Sequence, residues 1–130
     1  MNLLKNKIAF ITGASSGIGK ATAEIFAKEG ANLILNARRE DRILKFTNEL
    51  KEKYNVETLP LIFDVRNYNL VKSKISSLPD IWKNIDILLN NAGLARGLNK
   101  IYEGSINDWE EMIDTNVKGL LYVTREILPL

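Results

Sequence analysis

Short apolar runs alternate along the chain with longer segments of helical period. The runs occupy residues 7–12, 31–36, 56–63 and 85–90, and their cores read Ile-Ala-Phe-Ile, Leu-Ile-Leu, Leu-Ile-Phe and Ile-Leu-Leu. Nearly continuous apolar sequence of that length predicts strands of a parallel sheet covered on both faces; a strand with one wet face would alternate. Between the runs, apolar residues recur three and four apart. Ile18, Thr22, Ile25 and Phe26 form one stripe, closed by Gly30 at a helix C-terminus. Ile43, Phe46, Leu50 and Tyr54 form the next, with Glu49 and Lys53 as an exposed i,i+4 pair. Leu70, Val71, Lys74, Ile75 and Leu78 form a third, stopped by Pro79. A last helix is expected after a loop with Gly97 and Gly104. Asn107 is its expected N-cap, with Glu110 three on, and Trp109, Ile113, Val117, Leu120, Thr124 and Leu128 are its expected buried face.

The pattern β-α-β-α-β-α-β-α, without repeats, low complexity or a linker, predicts a single α/β unit. Pro60 inside the third run places that strand at a sheet edge, since proline cannot donate to a ladder. The doubly wound order 3-2-1-4 puts it there. The fold class is therefore α/β: a Rossmann-like doubly wound parallel sheet of about four strands.

Composition narrows the chemistry. The 130 residues contain no cysteine and no histidine. This excludes disulfides, thiolate zinc sites, iron–sulfur clusters and Ser-His-Asp triads, and no metal site is expected. Acid–base work must fall to Asp, Glu, Lys, Tyr or a cofactor. Eighteen basic and sixteen acidic residues leave a net charge of +2, scattered along the chain, which does not favour a nucleic-acid partner. Residues 8–11 are a short apolar run, and 120–130 are too short to span a bilayer. A soluble, cytoplasmic protein without a membrane partner is expected.

Each expected strand is followed by small or polar residues: 13–19, Ala37-Arg38-Arg39, Asp64-Val65 and Asn91-Ala92-Gly93. In a parallel sheet these clusters share the C-terminal edge, where ligands bind at the reversal of strand order. The first reads Thr12-Gly13-Ala14-Ser15-Ser16-Gly17-Ile18-Gly19. Gly13 permits a tight turn, Gly17 lets a pyrophosphate approach the backbone, and Gly19 lets the helix pack closely, its N-terminus facing phosphate. Ser15 and Ser16 add hydroxyl donors. Gly19-Lys20 hints at a P-loop, but that motif needs a glycine at Ala14 and a Ser or Thr at Ala21.

With these residues the chain resembles the short-chain dehydrogenases/reductases. The family's T-G-x-x-x-G-x-G is matched at Thr12, Gly13, Gly17 and Gly19, and its N-N-A-G at Asn90, Asn91, Ala92 and Gly93. Asp64, with Val65, resembles the family's aspartate beside the adenine, and Asn116 matches the helix asparagine of its catalytic tetrad. Residues 78–79, 84–95 and 108–129 look like the branch that oxidises small 3-hydroxy acids such as serine or allo-threonine. The resemblance implies hydride transfer between a nicotinamide cofactor and a small-molecule substrate. The cofactor-binding residues would be Gly13, Ser15, Ser16, Gly17, Ile18, Gly19, Arg38, Arg39, Asp64, Val65, Asn91, Ala92 and Gly93.

The choice of cofactor turns on charge. Where an acidic residue would hold the ribose 2′-hydroxyl of NAD, the chain reads Asn36-Ala37-Arg38-Arg39, with no carboxylate before Glu40. A guanidinium suits a 2′-phosphate, so NADP is the expected cofactor.

The resemblance also implies a serine and a Y-x-x-x-K after a fifth strand. The lysine would lower the tyrosine's pKa, and the asparagine would support a proton relay. The sequence stops at Leu130, where that strand would begin. Residues 1–130 are thus expected to be the NADP-binding half of one Rossmann-type domain, with Asn116 the tetrad member present. Tyr68-Asn69-Leu70-Val71-Lys72 spells Y-x-x-x-K but precedes N-N-A-G, on a helix packed away from the crevice. It is read as the solvated start of that helix. With residues 85–90 as an open edge and the last helix short of neighbours, homo-oligomerisation through that helix, or aggregation, is expected. The alternatives to an oxidoreductase's cofactor half are a non-enzymatic NADP-binding module and an inert remnant.

Overall fold

The computed structural model describes residues 2–130. Strands β1 (Ile8–Ile11), β2 (Asn32–Ala37), β3 (Thr58–Ile62) and β4 (Ile87–Leu89) pair in parallel in the order β3-β2-β1-β4. Ala9 faces Leu33 on one side and Ile87 on the other. Helices α1 (Gly17–Lys28), α2 (Glu40–Tyr54), α3 (Tyr68–Ser76) and α5 (Leu120–Ile127) cover the sheet, while α4 (Ile106–Ile113) buries no residue and leads into the last helical stretch. Alternation along the strands sends Ala9, Ile11, Leu33 and Leu35 into one core with Ala23 and Ala27 of α1 and Ile43 and Leu50 of α2. Phe10 and Ile34 enter the opposite core with Val71 and Ile75 of α3 and Val123 and Ile127 of α5. Both faces are buried, which is why the runs show no alternation. Pro60 stands opposite Leu35 in edge strand β3, as expected of a residue with no N–H to donate.

The helix ends follow local chemistry. Gly30, at φ +93°, donates to Ala27 O, and Ala31 donates to Phe26 O, so α1 closes with paired terminal bonds around a left-handed residue. α4 begins two residues earlier than expected: Ser105 is its N-cap, its Oγ accepting from Asp108 N at 3.4 Å, and Asn107 lies inside the first turn.

Two helices bury a different face from the stripe their large residues mark. α1 packs Gly19, Ala23 and Ala27 on the sheet and leaves Ile18 and Ile25 exposed. The last helical stretch buries Thr115, Gly119, Val123 and Ile127, while Trp109, Ile113, Val117, Leu120 and Leu128 remain exposed. Small residues one turn apart, Gly19, Ala23 and Ala27 on α1 and Thr115 and Gly119 on the last stretch, let each helix lie close to its neighbours. The Glu49–Lys53 pair is replaced by a bond between helices: Lys53 Nζ lies 3.2 Å from Glu24 Oε1 on α1, where the Tyr54 hydroxyl also donates. Among the described residues no helix is long and apolar enough to cross a membrane.

Candidate cofactor site

The turns at the C-terminal ends of β1 and β4 are fastened to each other. Thr12 Oγ1 accepts from the backbone N–H of Asn91 at 3.0 Å and of Ala92 at 2.9 Å. Asn91 Nδ2 donates back to Gly13 O at 3.0 Å. A third turn joins them through Asn36, which is buried at the end of β2. Its Nδ2 donates to Leu61 O and Phe63 O, and its Oδ1 accepts from Gly13 N. Thr12→Val keeps the shape but strands two N–H groups, each worth about 1–3 kcal/mol when left without a partner. We expect a loss of roughly 2–4 kcal/mol in urea unfolding, with Thr12→Ser close to wild type. A Thr12→Val midpoint equal to wild type would show that these bonds do not hold the turns.

Between the turns lies a cleft of about 450 Å³. Gly13, Ser15, Ser16, Gly17 and Ile18 form its floor at the start of α1, and Asn36, Ala37 and Arg38 form the β2 side. Val65, the segment from Asn91 to Leu94, and Thr115 complete the wall. A Cβ on Gly13, at φ +62°, would stand 2.9 Å from Ala92 Cα, whereas Gly17, at φ +57°, opens on space with nothing within 4 Å. The α1 N-terminus carries no acid in its first turn, and no hydrogen bond occupies the Ser16 hydroxyl as a cap. Backbone N–H groups, an open Cα face and a guanidinium make a fit for a phosphate-bearing ligand.

Ten of the thirteen expected binding residues line this cleft; Gly19, Arg39 and Asp64 do not. Gly19 lies beneath the floor, against the Asn91 amide and the Gly13 carbonyl. Arg39 precedes α2 as an exposed residue. Asp64 turns to Arg66, accepting from its backbone N–H at 3.0 Å and from its guanidinium at 2.8 Å. Burial pushes the Asp64 carboxyl up, but the hydrogen bonds and charge of Arg66, with Arg38 behind them, hold it below the usual carboxylate range. A depressed native pKa means stability that is complete above the unfolded value, near pH 4, and lost as pH falls through the native one. Asp64→Asn should therefore narrow the stability gap between pH 6 and pH 3 in urea titrations. A wild-type minus variant difference that stays constant with pH would contradict this.

Asn116 sits in a single π-helical turn, Asp114–Gly119, joining α4 to α5, where sequence periodicity implied uninterrupted α-helix. Its side-chain amide clamps one residue, accepting from Leu94 N at 2.9 Å and donating to Leu94 O at 2.8 Å. Gly119 lets this turn press on Val65, where a Cβ would come within 2.6 Å of Cγ2. Tyr68 is far from such a role. Its hydroxyl donates to Glu126 at 2.6 Å and its ring packs on Tyr122. The Glu126 bond raises its pKa, the opposite of what proton exchange near neutrality requires.

Sequence reasoning passed over the roles of the Thr12 hydroxyl, Asn36, Leu94 and Thr115. A lone polar residue in an apolar strand run was the available signal for Asn36. For Leu94 and Thr115 there was none, since their place depends on how the last helix docks. The Thr115 hydroxyl is buried without a hydrogen-bond partner, which a bound polar group or a water can relieve. Among the described residues, no group of three or more metal-ligating side chains forms.

The sequence profile of the short chain dehydrogenase family matches residues 7–130. The chain is 43% identical over 122 residues to the NADP-dependent 3-hydroxy acid dehydrogenase YdfG of Shigella flexneri, covering 94% of this chain and 48% of that protein. It is similar to the crystal structure of serine dehydrogenase from Escherichia coli, with a TM-score of 0.84 and 43% identity over 94% of this chain and 55% of the other. L-sorbose reductase from Gluconobacter frateurii, complexed with NADPH and L-sorbose, gives a TM-score of 0.90 and 37% identity over 99% of this chain and 49% of the other. The chain spans about half the length of the curated relatives it matches.

Proposed function

Because the chain belongs to the short-chain dehydrogenase family, we propose that residues 1–130 are the NADP-binding half of a single Rossmann-type domain in an oxidoreductase of small hydroxy acids. The observation that carries this reading is the cleft. A glycine floor open above Gly17 faces Arg38 across the end of β2, and no carboxylate lines the cleft to take a ribose 2′-hydroxyl. The relatives' names, an NADP-dependent 3-hydroxy acid dehydrogenase and a serine dehydrogenase, support the cofactor and substrate class.

Bound there, NADP supplies a nicotinamide that takes a hydride from the carbon bearing the substrate hydroxyl, or returns it to the carbonyl. The chain's own residues bind and orient. The floor from Gly13 to Gly17 and the N-terminus of α1 receive the pyrophosphate, with the Ser15 and Ser16 hydroxyls beside it. Arg38 meets the 2′-phosphate, and Val65 packs the adenine. Ile18 and the segment from Asn91 to Gly93 border the ribose and nicotinamide. Gly19 and Asp64 act from behind this shell, one by close packing and one through Arg66. Asn116 is a positioning residue, holding Leu94 at the mouth of the nicotinamide end. Neither tyrosine nor lysine lines the cleft, so the proton-exchanging pair of the family's reaction is assigned outside these residues. A cytoplasmic location belongs to the same reading, since a dissociable dinucleotide must be shared with other enzymes.

Calorimetric titration of the chain with NADP and NAD tests this. NADP should bind at least about tenfold more tightly, without oxidation of serine by the chain alone. Equal affinity, or tighter NAD, overturns the cofactor assignment, and turnover overturns the placement of the proton-exchanging residues.

We also propose that a second copy of the chain covers the apolar stripe left on the last helical stretch. Ile113, Val117, Leu121 and Leu128 lie on one side of it, 51%, 52%, 57% and 73% exposed, a larger continuous apolar edge than isolated surface residues produce. Sedimentation equilibrium should give a dimer or larger that Leu121→Lys shifts to monomer without loss of helical signal. A monomer at every concentration would refute it.

A further inference from the structure

Residues 95–113, the loop after β4 together with α4, contain no buried residue. What ties this segment together lies within it. Arg96 N donates to Met112 Sδ, and the Arg96 guanidinium donates to Glu111 Oε1 at 3.0 Å. The Trp109 ring packs on the bare backbone of Gly104, where a Cβ would stand 2.6 Å from Cζ2. Loop and helix therefore form one small body. It is loosely filled, since a cavity of about 330 Å³ opens inside it, walled in part by Ile101, Trp109 and Met112.

Three places join this body to the rest of the molecule. Two are its ends: Leu94 is clamped by the Asn116 amide, and α4 runs on into the π turn, the one element it packs against extensively. Asn116 belongs to that turn, so the two ends are pinned together. The third is an ion pair. Glu111 Oε1 lies 3.7 Å from Nη1 of Arg66, in the turn after β3. Arg66 is itself fixed, by Asp64 at 2.8 Å and by the buried Val65 before it. Among the described residues, no other ion pair runs from residues 95–113 to the sheet or to the helices that cover it. Leu94 and Thr115, beside the two ends, both line the first cleft.

We propose that residues 95–113 are a flap, hinged at Leu94 and the π turn and latched by Arg66 and Glu111, whose opening controls entry to and exit from the first cleft. A segment without buried side chains has little hydrophobic free energy to hold it, and such segments open locally while the core stays folded. The π turn lacks the regular i→i−4 ladder, which makes it the place where the last helical stretch can bend. A part-exposed ion pair is a weak latch, as befits a segment that must let go each time a ligand passes. The flap stands whatever the cleft holds; that its passenger is NADP rests on the reading above.

Hydrogen exchange of the full chain, read by mass spectrometry, and stopped-flow release of NADPH test this together. In wild type the α4 amides should exchange at least about tenfold faster than those of α5, although both are helical. Glu111→Ala breaks the latch, so α4 exchange and NADPH release should each speed up by about two- to fivefold, with α5 and β2 changed by less than about 1.5-fold. Arg96→Ala removes a bond inside the flap and leaves Glu111 to Arg66, so NADPH release should stay within about 1.5-fold of wild type. Equal exchange in wild-type α4 and α5, faster exchange throughout the Glu111→Ala chain, or equal release from the two variants overturns the flap and leaves the NADP reading intact. Failure of NADPH to bind overturns the cofactor reading, and the exchange of α4 then decides the flap alone.

Discussion

Gly19→Val should cost the chain a large part of its stability. Gly19 is the point where α1, the glycine floor and the turn after β4 touch. A Cβ there collides with the Asn91 amide and with the Gly13 carbonyl. Neither can yield, because the two are bonded to each other at 3.0 Å and Thr12 holds the Asn91 backbone from below. Overpacking a rigid contact costs about 1–3 kcal/mol and sometimes more, and losing the Asn91–Gly13 bond adds about 1 kcal/mol. Small domains have about 5–15 kcal/mol in all. We expect Gly19→Val to lose roughly 2–4 kcal/mol, read as a fall in the urea midpoint. Gly17→Ala provides the contrast. Its Cβ would meet nothing within 4 Å, so only the left-handed φ of +57° is penalised, by about 1–2 kcal/mol. That variant should keep a folded core yet lose NADP, because the methyl occupies the face a pyrophosphate approaches. Similar midpoints for the two variants would mean that the junction is softer than its hydrogen bonds indicate.

Arg38→Glu should separate the two nicotinamide cofactors most sharply. Arg38 lines the cleft on the β2 side, and its charge helps to lower the Asp64 carboxyl. On the proposed reading it gives charge-assisted hydrogen bonds to the 2′-phosphate, each worth about 1.5–3 kcal/mol. Reversal removes them and sets a carboxylate against a dianion. The NADP dissociation constant should rise by about 100-fold or more, while that of NAD moves by less than about threefold, having no phosphate to lose. Arg38 is exposed, so the wild-type preference should weaken with salt. Parallel losses for both cofactors would mean that Arg38 shapes the cleft instead of reading the phosphate.

Much of the architecture is legible in the sequence. The four runs mark the four strands to within about two residues at each end, and Pro60 places β3 at the edge. Gly30 closes α1 by the expected left-handed turn. Ten of the expected binding residues line one cleft, because in a parallel sheet every strand delivers its following turn to the same edge. The helix faces were less legible. Ile18 and Ile25 mark the wrong side of α1, and Ile113, Val117 and Leu120 mark the wrong side of the last helix. Periodicity weighs side chains by size, while close packing on a sheet favours the smallest ones, Gly19, Ala23 and Ala27 or Thr115 and Gly119.

The sequence by itself determined the strands, their order and the edge at which a ligand would be met. Those follow from local pattern, from turn chemistry and from the handedness of parallel connections. Only the tertiary structure decided which atoms face that edge. Arg38 and Arg39 are neighbours in the chain, yet one lines the cleft and the other does not. Lys20, Arg42 and Lys45 come from two helices and meet behind Ser15–Gly17, and Asn116 reaches Leu94 through a widened turn that periodicity did not announce. Direction of side chains depends on the register between elements that are distant in sequence. That register is set by packing and not by any local run of residues.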